Sequence, residues 1–115
     1  MSQTTTASER ITREVTSWPG VSAGWGRRGE WALKVGAREV GHLHGDRVAH
    51  FMFSRDLGTA LKAEGRVTDH PVFPRKPGPA ARRIDDEADV REVIELMRLN
   101  YERIVERSGV PEGAS

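Results

Sequence analysis

In the stretch from Glu30 to Phe53, three short runs of strand-forming residues are separated by glycine-containing breaks only two or three residues long. Trp31, Leu33 and Val35 alternate with Ala32 and Lys34, Gly36-Ala37 follows, Arg38 to His44 continues to Gly45-Asp46, and Val48 to Phe53 completes the stretch. A period of two is that of a strand whose side chains leave opposite faces in turn. Gly36, at the first central position of a two-residue type II′ turn, supplies the positive φ that such a turn requires. Breaks this short join only antiparallel neighbours, so the stretch is confined to a meander. Val21 to Trp25 reads as a strand before it, joined through Gly26-Arg-Arg-Gly29, which makes four.

Helices flank this sheet. Thr6-Ala-Ser-Glu9 has capping-box spacing, Ile11, Val15 and Trp18 follow at helical intervals, and Pro19-Gly20 stops the pattern. Ser54 caps a second helix from Arg55 to about Glu64, with Leu57, Ala60 and Leu61 inward and Gly65 at its end. Residues 66–83 read as loop, since Pro71, Pro74, Pro77 and Pro79 restrict helix and central strand alike, with a short edge strand at Arg82 to Ile84. A long helix starts at Asp85 or Asp86 and places Val90, Val93, Ile94, Met97, Tyr101, Ile104 and Val105 on one stripe before Gly109 and Pro111. The expectation is a single α+β domain over residues 6–108, with short tails at 1–5, expected to be disordered, and at 109–115. Its four- or five-stranded, mainly antiparallel sheet carries helices on one face. Trp18, Trp25, Trp31 and Phe51 are expected to anchor its core.

Several function classes fall away. The 115 residues include no cysteine, which excludes disulfides, thiolate metal sites and thiol catalysis. No glycine-rich loop links a strand to a helix as a phosphate cradle would, and no serine sits in a nucleophile elbow. No apolar run approaches the roughly 20 residues of a membrane span, and the polar start lacks the features of a secretion signal, so the expected location is the cytoplasm. Residues 1–83 carry 14 Lys+Arg against 8 Asp+Glu, whereas residues 84–115 carry 4 against 9. The asymmetry reads as a basic sheet and loop pairing with an acidic helix. The basic run Arg75 to Arg83 has four positive charges in nine residues but no facing aromatic, which makes it a weak nucleic-acid signal.

One place stands out chemically. His42 and His44 are two apart on an expected strand, so their imidazoles leave one face about 7 Å apart. Folding back the turn after His44 carries His50 toward them if the register matches. These three form a candidate set for a divalent metal, with Asp46 as a further oxygen ligand or base. His70, in Asp69-His70-Pro71, is isolated and reads as a loop cap or surface contact. Arg55 begins a helix, where free N–H groups and the dipole favour an anion.

Gly41-His-Leu-His-Gly-Asp46, Phe51-Met-Phe-Ser-Arg55, Glu64-Gly-Arg66, His70-Pro-Val-Phe-Pro74 and Leu96-Met-Arg-Leu-Asn-Tyr101 follow one another in an order that resembles the small bacterial domains called luciferase family proteins. The resemblance covers roughly residues 11–103. It implies a fold neighbourhood more than a reaction, and it singles out His42, His44, Gly45, Asp46, Arg55 and His70. Many members carry a second His after the position of His70 and a Ser-Gly-Trp segment shortly afterwards; here Pro71 and Pro77-Gly-Pro79 stand in those places. The order of elements is also similar to the YjbR-like α+β fold.

The reading that follows is a small ligand-binding or interaction module with His42, His44, Asp46, Arg55 and His70 facing its ligand, a small molecule or a protein. One alternative is a metal-assisted hydrolase or oxygenase using His42, His44 and His50. Another is weak nucleic-acid binding through residues 75–83. Homodimer formation is left open.

Overall fold

The computed structural model describes residues 5–111. Its elements run α1 (Ala7–Val15), β1 (Val21–Trp25), β2 (Trp31–Val35), β3 (Arg38–His44), β4 (Val48–Met52), α2 (Arg55–Ala63), β5 (Thr68–Asp69), β6 (Pro79–Arg83) and α3 (Glu87–Ser108). One antiparallel sheet contains all six strands in the order β1-β2-β3-β4-β6-β5. The expected tails at 1–5 and 109–115 fall largely on residues outside those described.

Local chemistry accounts for the boundaries. Thr6 and Glu9 complete a reciprocal capping box at α1, Ser54 Oγ accepts from Leu57 N–H at α2, and Asp86 caps α3 through Asp89 N–H. Gly36 and Gly45 turn the chain into and out of β3 with φ of +62° and +61°, a region that L side chains enter only at a cost.

The strand count exceeds the four or five expected, and the second half of the sheet differs most. β6 begins at Pro79 and lies between β4 and β5 rather than at an edge. A proline is tolerated there because it opens the strand. The two-residue β5 has no periodicity to detect. Pairing with its neighbours, rather than the modest strand preference of Ala80 and Ala81, makes β6 a strand.

All three helices contribute to one core. Leu33, Leu43, Ala49, Phe51 and Ala80 leave one face of the sheet and pack with Ile11, Val15, Val93, Leu96, Met97 and Ile104. Leu96 and the fully buried Asn100 join the inward surface of α3, beyond the expected stripe, while Ile94 and Val105 are half-buried. On α2 the expected inward Ala60 is exposed, and Gly58 is buried instead. Trp25 also departs from expectation. β1 is an edge strand, and Trp25 packs edge-on against Trp31 with centroids 4.8 Å apart while 75% of it stays exposed.

The charge asymmetry resolves into ion pairs onto α3. Arg66 makes two hydrogen bonds to Glu92, Arg82 pairs with Asp89, and Arg10 of α1 pairs with Glu87. Two of the four cations of the basic run, Arg82 and Arg83, are thus engaged by Asp89 and Asp85.

One irregularity matters for the site. Leu33 pairs with Gly41 but Lys34 pairs with Glu39, so Val40 is an extra residue, a β-bulge in β3. Asn100 Nδ2 donates to the Val40 carbonyl at 2.8 Å, and its Oδ1 accepts from Arg103 Nε at 2.9 Å. Leaving such a buried carbonyl unpaired costs about 1–3 kcal/mol. The bulge also changes the parity of the strand. Glu39, three residues before His42, leaves the same face as His42 instead of the opposite one.

Candidate functional site

Because the helices cover one face, the other is free to carry a groove. Ala32, His42, His44, His50 and Met52 belong to it. His42 and His50 are direct cross-strand partners, and His44 lies two residues along β3 on the same side. The ring centroids are 5.0 Å apart for His42 and His44, 5.2 Å for His42 and His50, and 4.6 Å for His44 and His50. His44 Nε2 sits 3.2 Å from His50 Nδ1. The open register question is answered by the hairpin: the pairing of β3 with β4 brings the three imidazoles together.

His70 joins them from the segment after β5. Its ring lies 4.3 Å from that of His50, and its Nδ1 accepts from Val72 N–H at 3.0 Å. Of the two expectations for His70, the local cap is present, but the residue is buried at 4% exposure and not a surface contact, and the cap seats its ring on the cluster. His50 and His70 are buried, His42 is half-buried and His44 is exposed.

Electrostatics keeps three of these rings uncharged near neutral pH. Burial, reinforced by the neighbouring His70, His44 and His42, lowers the pKa of His50 to about 4. Burial and the charge of His42 also lower that of His44, against an opposing pull from Glu30 and Glu39. Burial first and the other histidines second depress His70. An uncharged imidazole offers a lone pair, which is the form that ligates metals.

A pH prediction follows for the metal-free protein. An unfolded histidine takes up its proton near pH 6.5, whereas folded His50 does so near pH 4. Between these values the unfolded chain holds more protons, so acid favours unfolding. Stability should be level above about pH 6.5 and fall as the pH drops toward 4. Urea midpoints at pH 7.5 and 5.0 check this, and an unchanged midpoint at pH 5.0 would contradict it.

The three imidazoles have the spacing of a metal site. One ring nitrogen from each of His42, His44 and His50 lies within 4.8 Å of the others. Tetrahedral ligands at about 2.0–2.1 Å from a zinc ion are separated from one another by roughly 3.3 Å, and the His44–His50 pair at 3.2 Å is already at that distance. His42 Nδ1 contacts Glu39 Oε2 at 2.8 Å. This leaves Nε2 of His42 for a ligand and gives the ring the carboxylate partner that metal-bound histidines commonly have.

The luciferase-domain family model matches residues 37–100. The chain belongs to that family. All four histidines and Glu39 fall inside the matched segment of the luciferase domain, whereas α1, β1 and β2 precede it. No curated protein and no solved structure matches at a significant level.

Two residues singled out by resemblance lie elsewhere in this luciferase domain. Asp46 turns toward α1, where its Oδ1 accepts from Ser8 N–H at 2.9 Å. Arg55 is exposed at the start of α2, outside the groove lining. The groove has a volume of about 790 Å³. Glu39, Glu30, Val72 and Phe73 also line it, and none was a candidate from the sequence. Only recognition of the bulge could have placed Glu39 beside His42. Among the described residues, no helix is long and apolar enough to cross a membrane.

Proposed function

We propose that this luciferase domain binds a divalent transition-metal ion through His42, His44 and His50 and uses the remaining coordination position to hold a small ligand in the groove. The observation that carries the reading is the convergence of three ring nitrogens within 4.8 Å on one antiparallel pair of strands. Depressed pKa values on His44 and His50 support it, because little deprotonation cost attends binding at pH 7. The Glu39 contact supports it further by orienting His42. Imidazole ligands suit zinc, copper, nickel and iron, and zinc is the simplest probe because it has no redox chemistry.

Calorimetric titration of zinc into protein purified without a polyhistidine tag provides the test. About one zinc per chain is expected, with a rise in melting temperature at saturating zinc. Heats indistinguishable from dilution, with an unmoved melting temperature, would overturn the reading.

Metal-assisted chemistry is the second reading. It is favoured by the arrangement of three imidazoles beside a groove, which is the donor set of zinc centres that polarise a bound water or carbonyl. Zinc-dependent hydrolysis of an activated ester, lost on His50→Ala, would distinguish it from binding alone.

A further inference from the structure

Few large apolar side chains are left exposed among the described residues: Trp25, Met52, Val72, Phe73 and Val110. Three of these five, Met52, Val72 and Phe73, line the groove that holds the histidines, whereas the Trp25 ring packs on Trp31 at the α1 face of the sheet. Scattered exposed apolar residues need no explanation, but several gathered around one concave site mark a place where something apolar docks. The wall is built from distant parts of the chain. Met52 comes from β4, and Val72 and Phe73 from the segment after β5, a strand at one end of the sheet order.

The same groove is lined by Arg28 and Lys34. Among the described residues neither side chain has a carboxylate within salt-bridge distance. The two acids nearby are already engaged. Glu39 contacts His42, and Glu30 accepts from Arg28 N–H at 2.9 Å. A volume of about 790 Å³ falls in the range of about 300–1,000 Å³ that small organic ligands occupy.

From these features we infer that the groove takes an amphipathic organic acid. Its apolar body lies against Met52, Val72 and Phe73, and its carboxylate faces Arg28 and Lys34 with an oxygen directed at the metal position of His42, His44 and His50. The metal contact rests on the proposed function above; the apolar and cationic contacts do not. An uncharged apolar compound would leave the cations without a partner, and a short acid would leave the apolar wall wet.

The test uses 2-naphthoate, acetate and 2-naphthylmethanol as probes, each titrated into zinc-loaded and zinc-free protein. Naphthoate is expected to bind at least about tenfold more tightly than either of the others, the modest end of what burying an aromatic ring yields. Phe73→Ser should reduce that margin over acetate, and an Arg28→Gln/Lys34→Gln double variant should reduce the margin over the alcohol, both with zinc stoichiometry unchanged. Acetate or the alcohol binding as tightly as naphthoate would overturn the ligand class whatever zinc does. A naphthoate preference in a protein that takes up no zinc would uphold the ligand class and sink the metal reading alone.

Discussion

His50→Ala is expected to weaken zinc binding by more than 100-fold, while Glu39→Gln weakens it about 10–100-fold and Asp46→Asn leaves it unchanged. The order follows from geometry. His50 is one of the three nitrogens that converge within 4.8 Å, and it forms the 3.2 Å pair with His44. Removing it leaves two imidazoles, both on β3. Glu39 acts through His42, so its amide replacement keeps an oxygen acceptor but gives up the charge that makes the ring a stronger ligand. Asp46 is the informative control, because its position in Gly-His-Leu-His-Gly-Asp makes it look like a ligand while its carboxylate accepts from Ser8 N–H instead. Zinc competition against a chromophoric chelator gives the three affinities. An Asp46→Asn loss as large as that of His50→Ala would mean that the turn rearranges around the metal.

Gly58→Ala is expected to destabilise the fold by about 2–3 kcal/mol, a drop of roughly 10 °C in melting temperature. Propensity alone gives the opposite sign, since alanine is favoured over glycine inside a helix by about 0.5–1 kcal/mol. Packing overrides it. A Cβ on Gly58 meets Pro77 O at 2.1 Å and Gly78 Cα at 2.9 Å, and these are backbone atoms that no rotamer change can move aside. The same strap is tied down on both sides: Phe53 N–H donates to Gly78 O at 3.1 Å, and Lys62 Nζ donates to Lys76 O at 2.8 Å. Gly24 is the control, because nothing lies within 4 Å of its added Cβ and Gly24→Ala should be close to neutral. Thermal unfolding of both variants decides the matter. A Gly58→Ala protein at least as stable as the parent would show that α2 and the 77–78 segment do not approach so closely.

The glycine at 58 also shows where reading from sequence stops. The stripe Leu57, Ala60 and Leu61 is what periodicity offers on α2, yet the side that the protein buries includes Gly58 and leaves Ala60 exposed. Periodicity locates apolar bulk; it does not register a backbone that approaches because bulk is absent. Trp25 fails in the opposite direction. Its size made it a core residue by expectation, but its place on an edge strand leaves no second layer to cover it.

The candidate site divides similarly. His42 and His44 share a face whenever β3 is a strand, and the short turn at Gly45 to Arg47 makes β4 return antiparallel, so two imidazoles and their approximate partner were readable. The arrival of His70 was not. Twenty residues separate it from His50, and the chain between them includes a helix and a two-residue strand with no pattern of its own.

Local interactions are encoded within a few residues, and there the chain alone was sufficient: the Thr6–Glu9 capping box, the stop at Pro19-Gly20, the turns at Gly36 and Gly45, the Ser54 cap, and an α+β order with helices on one face. Whatever depends on partners distant in sequence was decided only on folding. The Val40 bulge is held from sixty positions away by Asn100, and by changing strand parity it delivers Glu39 to His42. The insertion of β6 between β4 and β5 likewise follows from hydrogen bonds to neighbours rather than from Ala80 and Ala81. Strand propensity and periodicity are properties of a residue and its near neighbours, whereas register, bulges and loop approach are settled by which distant groups satisfy one another's hydrogen bonds and fill one another's space.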